Sequence, residues 1–110
     1  MSEEVRLIDP DTGGAKGRKP ERMSLLPVEA LRYVSRVYDF GSQKYDDHNW
    51  RKGYAWSLSY DALQRHLMSF WARDDYDDES ELLHLSHAAF HVLTLLSFQL
   101  LARGKDDRPR

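Results

Sequence analysis

The chain has 110 residues, 41% hydrophobic and 31% charged, with a formal net charge of −2 and no cysteine. That length suits one domain with a modest core of its own. The charge balance argues against a dedicated nucleic-acid or membrane-surface binder, and the missing cysteines exclude a disulfide scaffold and a thiolate metal site.

Met1 to Pro10 carries Glu3, Glu4, Arg6 and Asp9 and no apolar run, so it does not read as a signal peptide. Cytosol is the default compartment. Residues 1–22 are polar, with Gly13, Gly14, Gly17, Pro20 and a basic run at Lys16, Arg18, Lys19 and Arg22. They are expected to form a flexible arm, its charges solvated or, more sharply, closing over phosphates.

A helical domain is expected over 23–103. Pro27 suits a first helical turn, and Leu31, Val34, Val37 and Tyr38 recur at helical spacing until Gly41 offers a stop. The glycine-bounded segment from Gly41 to Gly53 reads as a loop rich in Lys44, Tyr45, Asn49, Trp50 and Arg51. Rings can stack on a base while cations meet phosphate. The bland reading, with Tyr45 and Trp50 as anchors of the loop, weighs about equally.

Ser57 or Ser59 is expected to cap a second helix striped by Leu63, Leu67, Phe70 and Trp71. On its border, His66 reads as a satisfied core group and Arg65 as solvated. Arg73-Asp-Asp-Tyr-Asp-Asp-Glu-Ser80 then packs five carboxylates into six positions. A bound Mg²⁺ or Mn²⁺ would relieve their repulsion; an Asp78 or Ser80 cap would use only one or two of them.

A third helix, from about Glu81 to Ala102, is apolar around much of its circumference and calls for several neighbours or a second copy of itself, hence a homo-oligomer, dimer or tetramer. The stretch Leu82 to Ala102 is broken by His84, His87, His91 and Gln99, so it does not read as a membrane span. Residues 104–110 are expected to form a disordered tail.

His84, His87 and His91 fall on one helix face. They are either polar filler in a bundle or part of a site. The Asp74/Asp77 and His84/His87 pairs share i, i+3 spacing and could face each other across a short connection, as in metal sites of helical bundles. Imidazole suits Zn²⁺, Mn²⁺, Co²⁺, Ni²⁺ or Fe and carboxylate suits Mg²⁺ or Mn²⁺, so a mixed site would take a borderline metal or use histidine to orient the ligands or as a base. Mg²⁺ or Mn²⁺ is expected, with Co²⁺ or Zn²⁺ as alternatives. This reading makes Asp74, Asp77, Glu79, His84 and His87 the metal set.

Leu25-Leu-Pro27, Phe40-Gly-Ser-Gln-Lys-Tyr45, Asn49-Trp-Arg-Lys-Gly53, Arg65-His66 and Asp77-Asp-Glu-Ser80 followed by His84-Leu-Ser-His87 together resemble the phage-associated dATP/dGTP diphosphohydrolase N-terminal family. That family is similar in outline to the MazG-like all-α nucleotide pyrophosphatases, which bind Mg²⁺ through paired carboxylates. The resemblance implies an all-α bundle of three to four helices in a bacterial host's cytoplasm. It also implies metal-dependent hydrolysis of a purine deoxynucleoside triphosphate to monophosphate and pyrophosphate, shaping the nucleotide pool. Glu79, His84 and His87 would be catalytic, and Lys44, Tyr45, Asn49, Trp50, Arg51 and Arg65 would bind the nucleotide. The chain departs from the family pattern at Arg73-Asp74, Glu81 and His91, which leaves open a second reading, a nucleotide-binding sensor or sponge that does not hydrolyse.

Overall fold

The computed structural model describes residues 4–110, so the first three residues of the expected arm lie outside it. Three α-helices carry the fold: α1 Val28–Lys44, α2 Trp56–Trp71 and α3 His84–Leu101. Ahead of them, β1 Val5–Ile8 and β2 Ala15–Arg18 pair antiparallel, with Val5 opposite Arg18 and Ile8 opposite Ala15. The architecture is therefore mixed α and β, which corrects the all-α expectation.

The hairpin arises from local chemistry that composition conceals. The Asp9 carboxylate accepts the backbone N–H groups of Asp11 (2.8 Å) and Thr12 (3.0 Å). Asp9 and Gly14 close the loop through a 2.8 Å backbone bond. Gly13 takes φ +77°, a left-handed turn that glycine adopts without steric cost.

Helix α1 begins after Pro27 and runs through Gly41 to Lys44, where the Tyr45 N–H bonds the Gly41 carbonyl. The expected stop at Gly41 is not used. Lys44 is thereby carried to the end of the helix, against the acidic loop. A short 3₁₀ turn, Asn49–Lys52, occupies the following connection.

Helix α2 starts at Trp56 with no cap from its own flanking side chains, and neither Ser57 nor Ser59 is its N-cap. A later residue fills that role: the Asp107 carboxylate accepts the Ser57 N–H at 2.9 Å and the Ser57 hydroxyl. Helix α3 starts at His84, later than expected, with Leu83 at its N-cap.

The acidic run forms neither the end of α2 nor the start of α3. It folds as a loop closed by a Tyr76–Leu83 bridge, with Asp77 N–H on the Leu82 carbonyl and His84 N–H on the Asp75 carbonyl. Helices α2 and α3 return against each other across it, and α1 packs on α3. Val34, Val37, Ala88 and Phe98 are the buried apolar residues, while Ser59, Ser86, Thr94, His84 and His87 are buried and polar. The interior thus turns polar where the histidines cluster. Among the described residues no helix is long and apolar enough to cross a membrane.

Candidate functional site

Helix periodicity sets the cluster. His84, His87 and His91 rise along α3 at spacings of three and four and face α2, which contributes His66. The His66 ring stacks on His87, with centroids 4.6 Å apart and planes at 9°, and lies 6.0 Å from His91. Its Nδ1 is 2.8 Å from Nδ1 of His84, so one ring must donate and the other accept.

The acidic loop supplies the carboxylates. Asp74 Oδ2 lies 3.5 Å from His84 Nε2, and Asp77 Oδ2 lies 3.9 Å from His87 Nε2. The two Asp/His pairs are therefore side by side, although both aspartates sit on the loop and not on a helix. At 3.5 Å the Asp74 approach does not make a hydrogen bond, and His84 Nε2 is buried without a partner. Leaving such a nitrogen unpaired is costly unless something else engages it.

Asp77 is fixed by its own turn. Its Oδ2 accepts the backbone N–H groups of Glu79 (3.1 Å) and Ser80 (2.9 Å) and the Ser80 hydroxyl (3.1 Å). With that proton spent on Asp77, the Ser80 oxygen accepts from Leu82 N–H (3.1 Å) and from His87 Nε2–H (2.7 Å). In that arrangement all four groups are satisfied, with His87 as the neutral Nε2–H tautomer.

Burial governs the charges here. His66 and His91 are each held down at about 4, first by burial and then by neighbouring histidines. His87 is lowered by burial, against a counter-pull from Asp77. For Asp77, burial pushes upward but is outweighed by the Ser80 N–H and hydroxyl and then by His87 and His66, so it stays below the usual carboxylate range. Near neutral pH, His66, His87 and His91 are therefore neutral imidazoles, with the Asp77 carboxylate beside His66 and His87. One ligand atom each from His66, Asp77 and His84 lies within 4.8 Å of the others, a group that could hold a metal ion.

Beside this cluster opens a cleft of about 950 Å³. The expected nucleotide-binding residues Lys44, Tyr45, Asn49, Trp50, Arg51 and Arg65 all line it. His66, Asp77, Glu79, His87 and His91 line it too, whereas Asp74 and His84 do not.

Three placements qualify the expected roles. Glu79 stands apart from the histidines, with Lys44 Nζ 3.2 Å from each of its carboxylate oxygens. Trp50 meets Tyr38 edge-on at 5.9 Å and carries the Arg51 guanidinium 4.7 Å from its ring centre, so it anchors the turn as well as facing the cleft. Tyr45 is 58% exposed.

His66 is the residue sequence reasoning set aside. The available signal was its place on the border of the α2 stripe beside Arg65, but only the pairing of α2 with α3 turns one histidine into part of a group of four. Behind them, the His91 Nδ1 and Tyr54 hydroxyl converge on the buried Ser59 hydroxyl at 2.9 and 2.6 Å.

Comparison with known proteins gives a consistent placement. The chain is 36% identical over 93 residues to a protein of Salmonella phage PMBT28 named dATP/dGTP diphosphohydrolase, a match covering 84% of this chain and 31% of that protein. The chain therefore spans about a third of its relative's length. No solved structure matches. The model of the family described as dATP/dGTP diphosphohydrolase, N-terminal, matches residues 10–108, nearly the whole chain, and the chain belongs to that family.

Proposed function

We propose that this chain binds and hydrolyses a purine deoxynucleoside triphosphate, dATP or dGTP, to the monophosphate and pyrophosphate, using a divalent metal. The observation that carries this reading is the convergence of His66, Asp77 and His84 at the edge of a cleft lined by Lys44, Arg51 and Arg65. The name of the phage relative gives the substrate class.

The residues fit a metal. His84 Nε2 is a buried nitrogen without a partner beside Asp74, and the donor set mixes imidazole with carboxylate. Mixed sets of this kind favour Mn²⁺, Co²⁺ or Zn²⁺ over Mg²⁺, which prefers oxygen ligands. His66, Asp77 and His84 would hold the ion, with Asp74 alongside. When bound, it supplies Lewis acidity to the triphosphate and lowers the pKa of water.

The chain's own groups do the rest. Arg51 and Arg65 pair with the phosphates of the bound substrate, and Lys44 joins them when Glu79 releases it. Asn49 offers an amide to the base, and the rings of Tyr45 and Trp50 offer apolar surface to it. Neutral His87, held by Ser80, is placed to take a proton at the cleft wall. Glu79, freed from Lys44, is the second candidate for that role. If Glu79 carries that role, Glu79→Ala should abolish turnover while folding is kept; full activity would remove it from the mechanism.

The decisive test is ion-exchange separation of products after incubating dATP, dGTP and the other triphosphates with the protein and Mg²⁺, Mn²⁺ or Co²⁺. Monophosphate with pyrophosphate is the expected result. Saturable nucleotide binding with no product under any metal would replace hydrolysis by sequestration.

A further inference from the structure

The segment after α3 holds the turn that carries Trp50 and Arg51, and its contacts are not explained by the cleft itself. Locally, the Asn49–Lys52 turn is held by its own short-range backbone bonds, by Arg51 Nε–H on His48 Nδ1 at 3.2 Å and by Trp50 against Tyr38. It is one 3₁₀ turn entered through His48 at φ +61°, a left-handed conformation unusual for a side-chain-bearing residue. Short turns of this kind sit at the low-stability end of a fold.

Residues 103–107 cross behind it. Arg103 Nη1 donates to the Arg51 carbonyl at 2.9 Å, and the Arg103 carbonyl accepts the Trp56 indole N–H at 2.8 Å. Lys105 N–H bonds the Tyr54 carbonyl at 3.1 Å, and Trp56 N–H bonds the Lys105 carbonyl at 3.0 Å. Gly53 at φ +86° and Gly104 at φ +71° meet backbone to backbone: a Cβ on Gly53 would lie 2.5 Å from the Gly104 nitrogen. Asp107 completes the run at Ser57. One face of the turn thus lines the cleft while the other is fastened to the chain's later residues.

We infer that residues 103–107 form a strap, and that Arg103 is a positioning residue which sets Trp50 and Arg51 for the substrate from outside the cleft. This rests on the nucleotide reading above. The Arg103 guanidinium bonds the backbone of Arg51 and does not line the cleft, so its loss would slacken the turn without removing any cleft group. The histidine cluster lies on α2 and α3, beyond the turn. An effect through Arg103 should therefore fall on nucleotide affinity and leave metal binding and the chemical step alone.

The test compares steady-state hydrolysis of dGTP and dATP by wild type, R103M, R103K and R108M, with the Mn²⁺-induced shift in melting temperature measured on each. Methionine keeps an apolar stem and loses the donors. Arg108, which pairs with Asp106 and lies over Trp56, is the control on the same segment. Loss of one bond to a charged donor should raise KM about tenfold in R103M. Its kcat and Mn²⁺ shift should stay at wild-type values, R103K should recover part of the loss, and R108M should match wild type. An unchanged KM in folded R103M overturns the strap, as does a parallel fall in kcat and Mn²⁺ shift. If R103M does not fold, the R103K comparison decides by the same criteria. The wild-type arm separates the two levels: an inert wild type sinks the nucleotide reading and this assignment with it, whereas an active wild type with unchanged variants sinks the strap alone.

Discussion

His66 shows how much of a site depends on partners that spacing within one helix cannot display. His84 and His87 are legible as a pair because three residues in a helix return to the same face. His66 belongs to another helix, and its stacking on His87 depends on how α2 and α3 are rotated against each other. Asp74 and Asp77 reach the histidines because the connection between those helices is a short closed loop and not because they share a helix face. If His66 and Asp77 are ligands, His66→Gln and Asp77→Asn should each weaken Mn²⁺-induced stabilisation by about 10–100-fold in metal affinity or more. Thermal melts over a Mn²⁺ titration would check this, and unchanged titrations would remove them from the metal set.

The same histidines make stability depend on acid. Held at about 4 in the folded protein, against an ordinary value near 6.5, His66 and His91 take up protons more readily when unfolded. Their contribution is fully present above pH 6.5 and is lost as pH falls from there through 4. Melting temperature should decline across that window, and His66→Asn with His91→Asn should flatten the decline. An acid slope unaltered by that double variant would place its origin elsewhere.

At the scale of elements, the helices could be read from apolar periodicity and the start of α1 from Pro27, but the cap of α2 could not, because it comes from a distant residue. The N-terminus of α2 is capped by Asp107, fifty positions away, and no local pattern reports that. The β1–β2 hairpin escaped for a different reason. Its strands are four residues each, and the surrounding glycines and charges dominate the composition, although Val5-Arg-Leu and the Asp9 turn carry a weak strand and turn signal. Gly104 marks the least substitutable point between elements. Gly104→Ala should cost at least about 1–2 kcal/mol from the left-handed backbone alone, with the Tyr54 backbone adding to it. Urea unfolding would measure the loss, and a wild-type midpoint would mean that the contact with Tyr54 is loose.

The whole molecule exposes more surface than its mass explains. A compact monomer of 12.9 kDa is expected to show about 6,300 Å², against 9045 Å² here. Its radius of gyration is 18.4 Å, where a compact chain of this length would have about 13 Å. Part of the excess is apolar, with Trp71 at 86%, Leu100 at 74% and Met68 at 71% exposed. The expectation of self-association, drawn from the all-round apolar character of α3, therefore gains a second argument. Sedimentation velocity should find a dimer or tetramer, and Leu100→Glu should shift it toward monomer. A monodisperse monomer at micromolar concentration would end that expectation.

The meeting of Gly53 with Gly104 also has a consequence in time. Contacts between residues near 53 and residues near 105 close a loop of about half the chain, and non-local closure of that kind is paid for late in folding. The bonds inside α1 and α2 are local, whereas the Asn49–Lys52 turn takes its final shape only when residues 103–105 have docked on it. While that closure is open, the helices are in place but one wall of the cleft is unfinished.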